Sequence, residues 1–596
     1  MNRKSSKFKS KNRFKDFFPV FNLDGFKKKK TPSSGYSLKH SKAQKSSWFN
    51  KKKSPVNHLQ KLALKPNYFH YLFCIFSGLV AGWCFPSNDT EIISTIKAVL
   101  IWFAFAPFFV VLWQTKTIFG ASFKAALTGF CFNLFIFRFL FGIHPLDWLG
   151  VPDNLSFAGA LSGVCIAAAI QAFYWAIYGI IFKLLHKSLG ITLWTAFQTS
   201  IIWVVLFEKI ANSALLKGLP LSSLYYTQHN NFYLLQSSDL MGASLISLLI
   251  VFFNVTLAHF LTVIFKLQLA GPEGNNNPPI SLSAIMGLQG ITVLAICYLY
   301  GFFYYFSQQD IASQSGSKPI KVALLQKNLE VSSTRILSES TSKNLNGFIK
   351  QFKEVINDKV YPDLIVIPEG SLRKDSLEAL FNFISSSNPT ISLIGGSYVD
   401  IKDVGNYNSA IGFNSRLTKE NKVCSLTQKK NLQQKQIYFK QALVIFGEYV
   451  PFESFFKKVL AKYSLEYLAE SDFKTGDGPK VFEFNLGNFA PLICFEIFFP
   501  ELANHQIKAG GDSLVLLGDT SWFHQSKHSI GGLMLAAAKV RATETRRDTI
   551  VIANQGPLAF IDRFGRVNKL AKENEEYLSG EIHKNQELTL FTRSQW

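Results

Sequence analysis

Several kinds of chemistry are set aside by what these 596 residues do not contain. No His/Cys spacing of a metal site occurs, and no glycine-rich loop of the kind that cradles phosphates. No metal and no organic cofactor is therefore expected. Cysteines number only seven. Cys74, Cys84, Cys131, Cys165 and Cys297 lie within or at the ends of long apolar stretches, where a thiol is an ordinary packing group. That leaves Cys424 and Cys494 in the polar half of the chain, too few for a disulfide framework. Charged residues make up 17% of the chain while aromatics reach 15%, with 57 Phe. A wholly soluble protein is a poor fit to that balance. No apolar segment of roughly 7 to 15 residues with a small-residue cleavage site follows the first charges, so the N-terminus does not read as a signal peptide.

What charge there is lies mostly at one end. Residues 1–65 hold 19 Lys and Arg against 2 Asp, a net of +17 out of +23 for the whole chain. This Ser-, Lys- and Asn-rich tail has no apolar periodicity and is expected to be disordered and cytoplasmic. It suits the anionic surface of a bilayer better than a nucleic acid, and no nucleic-acid partner is expected.

Seven apolar stretches of roughly bilayer length follow, at 68–85, 92–113, 126–143, 158–182, 192–207, 240–265 and 283–306. Loop cations order them. Lys116, Lys124, Lys183, Lys187 and Lys266 fall in alternate connections, on the side of the tail. The other connections carry Asp89, Glu91, Asp147, Asp153, Glu208 and Asp239, with Lys209 and Lys217 as exceptions. Seven crossings from an inside start place everything after Asp310 outside. Gln171, Gln198 and Asn254 within the spans suit hydrogen bonds between helices, and Arg138 suits either such a contact or a phosphate head group.

After DIASQSGSKP the pattern becomes short β-branched or aromatic runs separated by helix-length segments, over 318–590. The expected fold is therefore a multi-pass α-helical membrane domain over 66–310 followed by a layered α/β domain. Candidate chemistry collects at the ends of its strands. DLIVIPEG ends at Glu369, IYFKQALVIFGEYVPFE carries Lys440 and Glu448, and PLICFEIF holds Cys494 with Glu496 two residues behind. A thiol, a carboxylate and an ammonium suffice for acyl transfer through a thioester. A cation or base must favour the thiolate, and the ammonium with backbone N–H groups can face the oxyanion. Singly, each has a plain alternative: a solvated strand end, a surface lysine, a core cysteine. The turn VPFESFFKKVL at 450–460 suits either dipping into the bilayer or ordinary packing.

The motifs P-E-G at 368–370, Y-F-K…L-V-I-F-G-E-Y-V-P-F-E over 438–453 and L-I-C-F-E at 492–496 resemble those of the carbon–nitrogen hydrolase (nitrilase) superfamily. Joined to seven spans, they resemble more narrowly the apolipoprotein N-acyltransferases. Y-N-S at 407–409, S-W-F at 521–523 and R-A-T-E-T-R-R at 541–547 match as well. The resemblance implies a nitrilase-like αββα sandwich outside the inner membrane, in the periplasm. It implies Glu369 as general base, Lys440 as oxyanion and thiolate partner, and Cys494 as nucleophile, with Glu448 and Glu496 supporting. The implied reaction moves an acyl chain from a phospholipid to Cys494, and then to the α-amino group of a diacylglyceryl-modified cysteine at the N-terminus of an apolipoprotein. A membrane-tethered amidase or acyl hydrolase, or a non-catalytic scaffold, is the alternative. Ile445 stands where the family commonly has proline, Phe495 where it often has tyrosine, and no apolar stretch of roughly 18 residues follows the α/β part.

Overall fold

The computed structural model describes residues 66–594 apart from 147–150, 190–191, 215–216, 268–279, 315–317, 330–337, 360, 389, 415–435, 462–472 and 573–574. The basic tail and Cys424 lie outside the described residues.

Each of the seven apolar stretches is helical. Among the described residues six helices are long and apolar enough to cross a bilayer: Glu91–Gln114, Ile118–Ile143, Asp153–Leu189, Leu193–Ala211, Ser244–Ile264 and Ile280–Gln308. The first, Tyr68–Trp83, is shorter than a bilayer ordinarily demands. The last helix runs on to Gln314, into the segment expected to be a polar connector. Asn254 and Gln171 bond across elements, as expected, whereas Gln198 Oε1 is buried with no hydrogen-bond partner among the described residues. Asn254 Oδ1 accepts from the N–H of Phe105 (2.8 Å), where the second span breaks between Ala104 and Ala106, and its Nδ2 donates to Ile101 O (3.0 Å). Gln171 Nε2 donates to Leu219 O (3.1 Å). These contacts replace the water that hydrocarbon cannot supply.

Among the described residues the α/β part is two six-stranded sheets. The first runs β12 (Tyr577–Ile582), β1 (Ile320–Leu325), β2 (Leu364–Ile367), β3 (Ser392–Ile401), β4 (Gly405–Asn414) and β5 (Ile437–Phe439). The second runs β11 (Val567–Leu570), β10 (Leu558–Ile561), β9 (Thr549–Asn554), β8 (Ser513–Asp519), β7 (Gly487–Ile493) and β6 (Phe482–Phe484). β1, β2 and β3 are mutually parallel, as are β7, β8 and β9.

Val322, Leu324, Val366 and Ile394 of one sheet share a core with Ile493, Val515, Leu517 and Ile552 of the other. The outer face of the first sheet is covered by Phe348, Phe352, Leu377 and Phe381 from the helices Ser338–Asn357 and Lys374–Ser387. The second is covered by the helices Pro500–Lys508 and Lys527–Thr545, in a core continuous with the membrane helices. The layers are thus helix, sheet, sheet, helix. Strands buried on both faces read as unbroken apolar runs, which is why LIVI and SLVLLGD show no alternation.

The two parts belong to one compact unit. They are joined through the R-A-T-E-T-R-R segment. Arg546 donates to Asp239 Oδ2 from Nη2 (2.7 Å) and Nε (3.0 Å), and Tyr300 OH donates to the same carboxylate (2.9 Å). Glu544 Oε1 accepts from Ala243 N–H (2.7 Å), and Arg541 Nη2 donates to Tyr225 OH (3.2 Å). All three are buried, so this cluster of charge is internal structure, not surface.

Candidate active site

Three strands deliver the predicted side chains to one place. Glu369 follows β2, Lys440 follows β5 and Cys494 follows β7, each just past the end of its strand. β3 must pass very close behind Glu369. A Cβ at Gly396 would lie 2.4 Å from Glu369 Cα and 2.7 Å from Pro368 O, so only glycine fits there. Cys494 itself has φ 51°, a left-handed backbone that a side chain adopts only when its surroundings enforce it. The strand turns abruptly there into the short helical segment Cys494–Phe498.

Lys440 Nζ sits between two carboxylates, 3.2 Å from Glu369 Oε1 and 2.9 Å from Glu448 Oε1. Asn408 Nδ2 donates to the same two oxygens, at 2.6 Å each. The other oxygen of Glu448 accepts from Val444 N–H (2.8 Å). The other oxygen of Glu369, Oε2, is buried with no hydrogen-bond partner among the described residues. One oxygen of Glu369 is therefore fixed while its neighbour is open to exchange a proton.

Burial would lower the Lys440 ammonium, but Glu369 and Glu448 outweigh it and hold its pKa well above the usual lysine value. Burial, with Glu448 and Asp519 nearby, raises Glu369 against the opposing pull of Lys440 and Asn408. Burial and the charge of Glu369 push the Cys494 thiol well up, while Lys440 and a backbone hydrogen bond from Asp519 act in the opposite sense. The pocket thus disfavours the thiolate of Cys494 while it holds Lys440 as a cation.

Glu496 is fully buried but faces away from this exchange. Its Oε1 accepts from Tyr438 OH (2.8 Å), Gln441 N–H (2.6 Å) and Ala442 N–H (3.3 Å), and its Oε2 accepts from Ile493 N–H (2.7 Å). It ties the turn that carries Cys494 to the residues flanking Lys440. Burial nonetheless lifts its pKa to about 7.

Two members of the cluster had no assigned role in the sequence reading. Asn408 is the middle residue of the Y-N-S motif, and Asp519 ends the strand DSLVLLGD. Asp519 is buried and holds Ser521 through its N–H (3.0 Å) and hydroxyl (2.6 Å). The S-W-F segment that follows packs on the end of the third span, where a Cβ at Gly142 would lie 2.0 Å from Phe523 O and the rings of Phe139 and Phe523 meet at 5.1 Å. Arg138, in the helical turn Phe137–Ile143 that ends this span, lies over the Phe135 ring (4.1 Å) and donates to Phe135 O (2.7 Å). Phe446, Phe452, Phe455 and Trp522 are exposed around the motifs.

The sequence profile described as the apolipoprotein N-acyltransferase N-terminal domain matches residues 77–256. An apolipoprotein N-acyltransferase of Wigglesworthia glossinidia brevipalpis is 26% identical, over 76% of this chain and 84% of its own length. One of Haemophilus influenzae is 24% identical, over 84% of this chain and 86% of its own. Over most of its length the chain is similar to the apolipoprotein N-acyltransferases. Among solved structures, Saccharomyces cerevisiae Nit3, a member of branch 10 of the nitrilase superfamily, matches with a TM-score of 0.31 and 18% identity, covering 44% of this chain and 90% of that one. These likenesses make the chain an acyltransferase, and its long apolar helices make it a multi-pass membrane protein.

Proposed function

We propose that this chain is an apolipoprotein N-acyltransferase that works in two half-reactions, with Cys494 as nucleophile, Glu369 as general base and acid, and Lys440 as the oxyanion partner. In the first, Cys494 Sγ attacks the ester carbonyl of a membrane phospholipid while its proton passes to Glu369 Oε2. The oxyanion of the tetrahedral intermediate faces the Lys440 ammonium. Collapse breaks the C–O bond, and the Glu369 proton goes to the departing lysophospholipid oxygen. In the second, the α-amino group of a diacylglyceryl-cysteine attacks the thioester and gives its proton to Glu369. The C–S bond breaks, the thiol is restored, and a triacylated lipoprotein leaves.

The observation that carries this reading is the asymmetry of Glu369: Oε1 is locked by Lys440 and Asn408, whereas buried Oε2 has no partner among the described residues. Glu448 supports Lys440 from its other side, and Glu496 holds the nucleophile's turn. Arg138, beside the S-W-F segment, is the cation we assign to a lipid phosphate.

For topology, we propose seven crossings of the inner membrane, with the basic tail cytoplasmic and the α/β part periplasmic. The cations Lys116, Lys124, Lys183, Lys187 and Lys266 on one side support it. The exposed Phe452 and Phe455 fit the expectation that the 450–460 turn meets lipid; the side chain of Phe456 lies outside the described residues.

Mass spectrometry of the full-length protein after incubation with phospholipid alone tests the reaction. The expected result is a fatty-acyl thioester on Cys494, absent in Cys494→Ala, stable to water and discharged by a diacylglyceryl-cysteine peptide. An adduct lost to water without the peptide indicates a hydrolase, and no adduct refutes the nucleophile.

A further inference from the structure

We propose that Lys217 is a positioning residue for the loop that carries Glu448, acting through the ring of Tyr449; the role rests on the reaction proposed above. Lys217 is one of the two cations in connections that otherwise carry acids. It is exposed, and among the described residues no carboxylate lies within ion-pairing distance of it. Its ammonium instead lies 4.4 Å from the centroid of the Tyr449 ring.

The described residues on either side of Lys217 are held by backbone hydrogen bonds. The loop leaves the fifth span at Ala211, and Lys217 N–H donates to Ala214 O (3.0 Å) and Gly218 N–H to Ser213 O (2.9 Å). Lys217 has φ 52°, and a Cβ at Gly218 would meet Ala211 O at 2.3 Å. The same loop is anchored on the nucleophile's side, because Ala214 N–H donates to Glu501 Oε1 (2.8 Å) on the helix that follows the Cys494 turn. One connection of the membrane part therefore touches both sides of the site.

The loop it meets needs an outside hold. Phe446 and Phe452 flank Tyr449 with φ of 62° and 54°, a strained backbone for aromatic residues. Between them the chain turns on itself, Phe446 N–H donating to Tyr449 O (2.8 Å) and Glu448 N–H to Val444 O (2.8 Å). A shift of Tyr449 moves its neighbour Glu448, whose Oε1 fixes Lys440 at 2.9 Å. Lys217 thus sets the position of Lys440 from two contacts away.

The test is single-turnover formation of the Cys494 thioester by the full-length protein in mixed micelles, with phosphatidylglycerol and separately with phosphatidylcholine. K217M and Y449L are expected to lower the maximal rate two- to fivefold, the effect of an exposed cation–π contact, with unchanged half-saturating lipid. K217R and Y449F should stay near wild type, and the K217M/Y449L pair should be no slower than the slower single variant. Because Lys217 is exposed, K217M should leave the thermal midpoint unchanged. A K217M rate equal to wild type, additive losses, or a loss confined to half-saturation and to phosphatidylglycerol would each overturn the role, the last pointing to direct contact with lipid phosphate. A wild type that forms no thioester removes the catalytic reading itself and this role with it; a normal wild type with an indifferent K217M removes only the role of Lys217.

Discussion

Asn408→Ala separates electrostatic support of the base from mere packing. Its side-chain amide gives one hydrogen each to Glu369 Oε1 and Glu448 Oε1, at 2.6 Å. A hydrogen bond to a charged group contributes roughly 1.5–3 kcal/mol, and one pKa unit corresponds to about 1.4 kcal/mol. Losing the donor therefore raises Glu369 by roughly 1–2 units above a value that burial already holds high. On the proposed mechanism Glu369 must be ionised to accept the Cys494 proton, so below its pKa the competent fraction falls about tenfold per unit. The acid limb of thioester formation should move to higher pH by the same roughly 1–2 units, and the rate should recover as pH rises. Glu448 keeps Lys440 and Val444 N–H, so its position survives the change. The assay is the time course of Cys494 acylation by mass spectrometry across neutral and alkaline pH. A loss equal at every pH would refute the reasoning, because it would mean that Asn408 only fills space.

Two further substitutions test the supports of the site. Asp239→Ala leaves the Arg546 guanidinium buried without its carboxylate, and the thermal midpoint in detergent should drop by the equivalent of roughly 3–5 kcal/mol, with partial recovery in Asp239→Ala/Arg546→Met; an unchanged midpoint would exclude this pair from holding the two parts together. Glu496 has a folded-state pKa raised by burial to about 7, so its contribution to stability is complete below the ordinary carboxyl range and is lost as pH rises through about 7. The stability advantage of wild type over Glu496→Gln should therefore shrink by up to ~3 kcal/mol between acidic and mildly alkaline pH, and an advantage that grows with pH would contradict the assignment.

The parts of the molecule legible in sequence were those where one local signal suffices. Unbroken apolar runs marked β2, β7, β8 and β9, and Pro368 and Gly370 marked where Glu369 emerges. The limits came from non-local causes. PLICFEIF reads as a single strand, yet Cys494 turns the chain at φ 51°, because Glu496 draws the Ile493 N–H back toward β5. DTIVIANQGPLAFID reads as one run and is a hairpin of β9 and β10. The three-residue strands β5 and β6 are too short to show a period, and they exist because β4 and β7 supply their partners. Asn408 carried no charge to draw attention, and its importance appears only when β4 brings it between two acids 39 and 40 positions away. The basic R-A-T-E-T-R-R segment matched as a motif without showing why it is basic: its arginines are buried, and Asp239 and backbone carbonyls receive their guanidinium groups.

On the proposed mechanism, the electrostatics of the pocket explain why this chemistry suits the edge of a bilayer. The only proton that moves passes from Cys494 to Glu369 and onward to the leaving lipid oxygen, and in the second half from the amine to Glu369 and back to sulfur. The sum of charge in the pocket is the same at the start and end of each half-reaction, so water need not reorganise around it. Lys440, held as an ammonium by its two carboxylates, is in place before the oxyanion forms and needs no reorientation when it does. A site of this kind works best dry, and the exposed Phe446, Phe452 and Trp522 around its motifs are a rim that acyl chains wet better than water does. The thiol, kept neutral by burial until a substrate brings its carbonyl within reach of Lys440, is protected from adventitious reaction in the meantime. The membrane helices then contribute more than an anchor, because the loop carrying Lys217 and the span end carrying Gly142 touch the catalytic segments on different sides. Lipid that packs against those helices lies beside the rim, which turns the search for substrate from three dimensions into two.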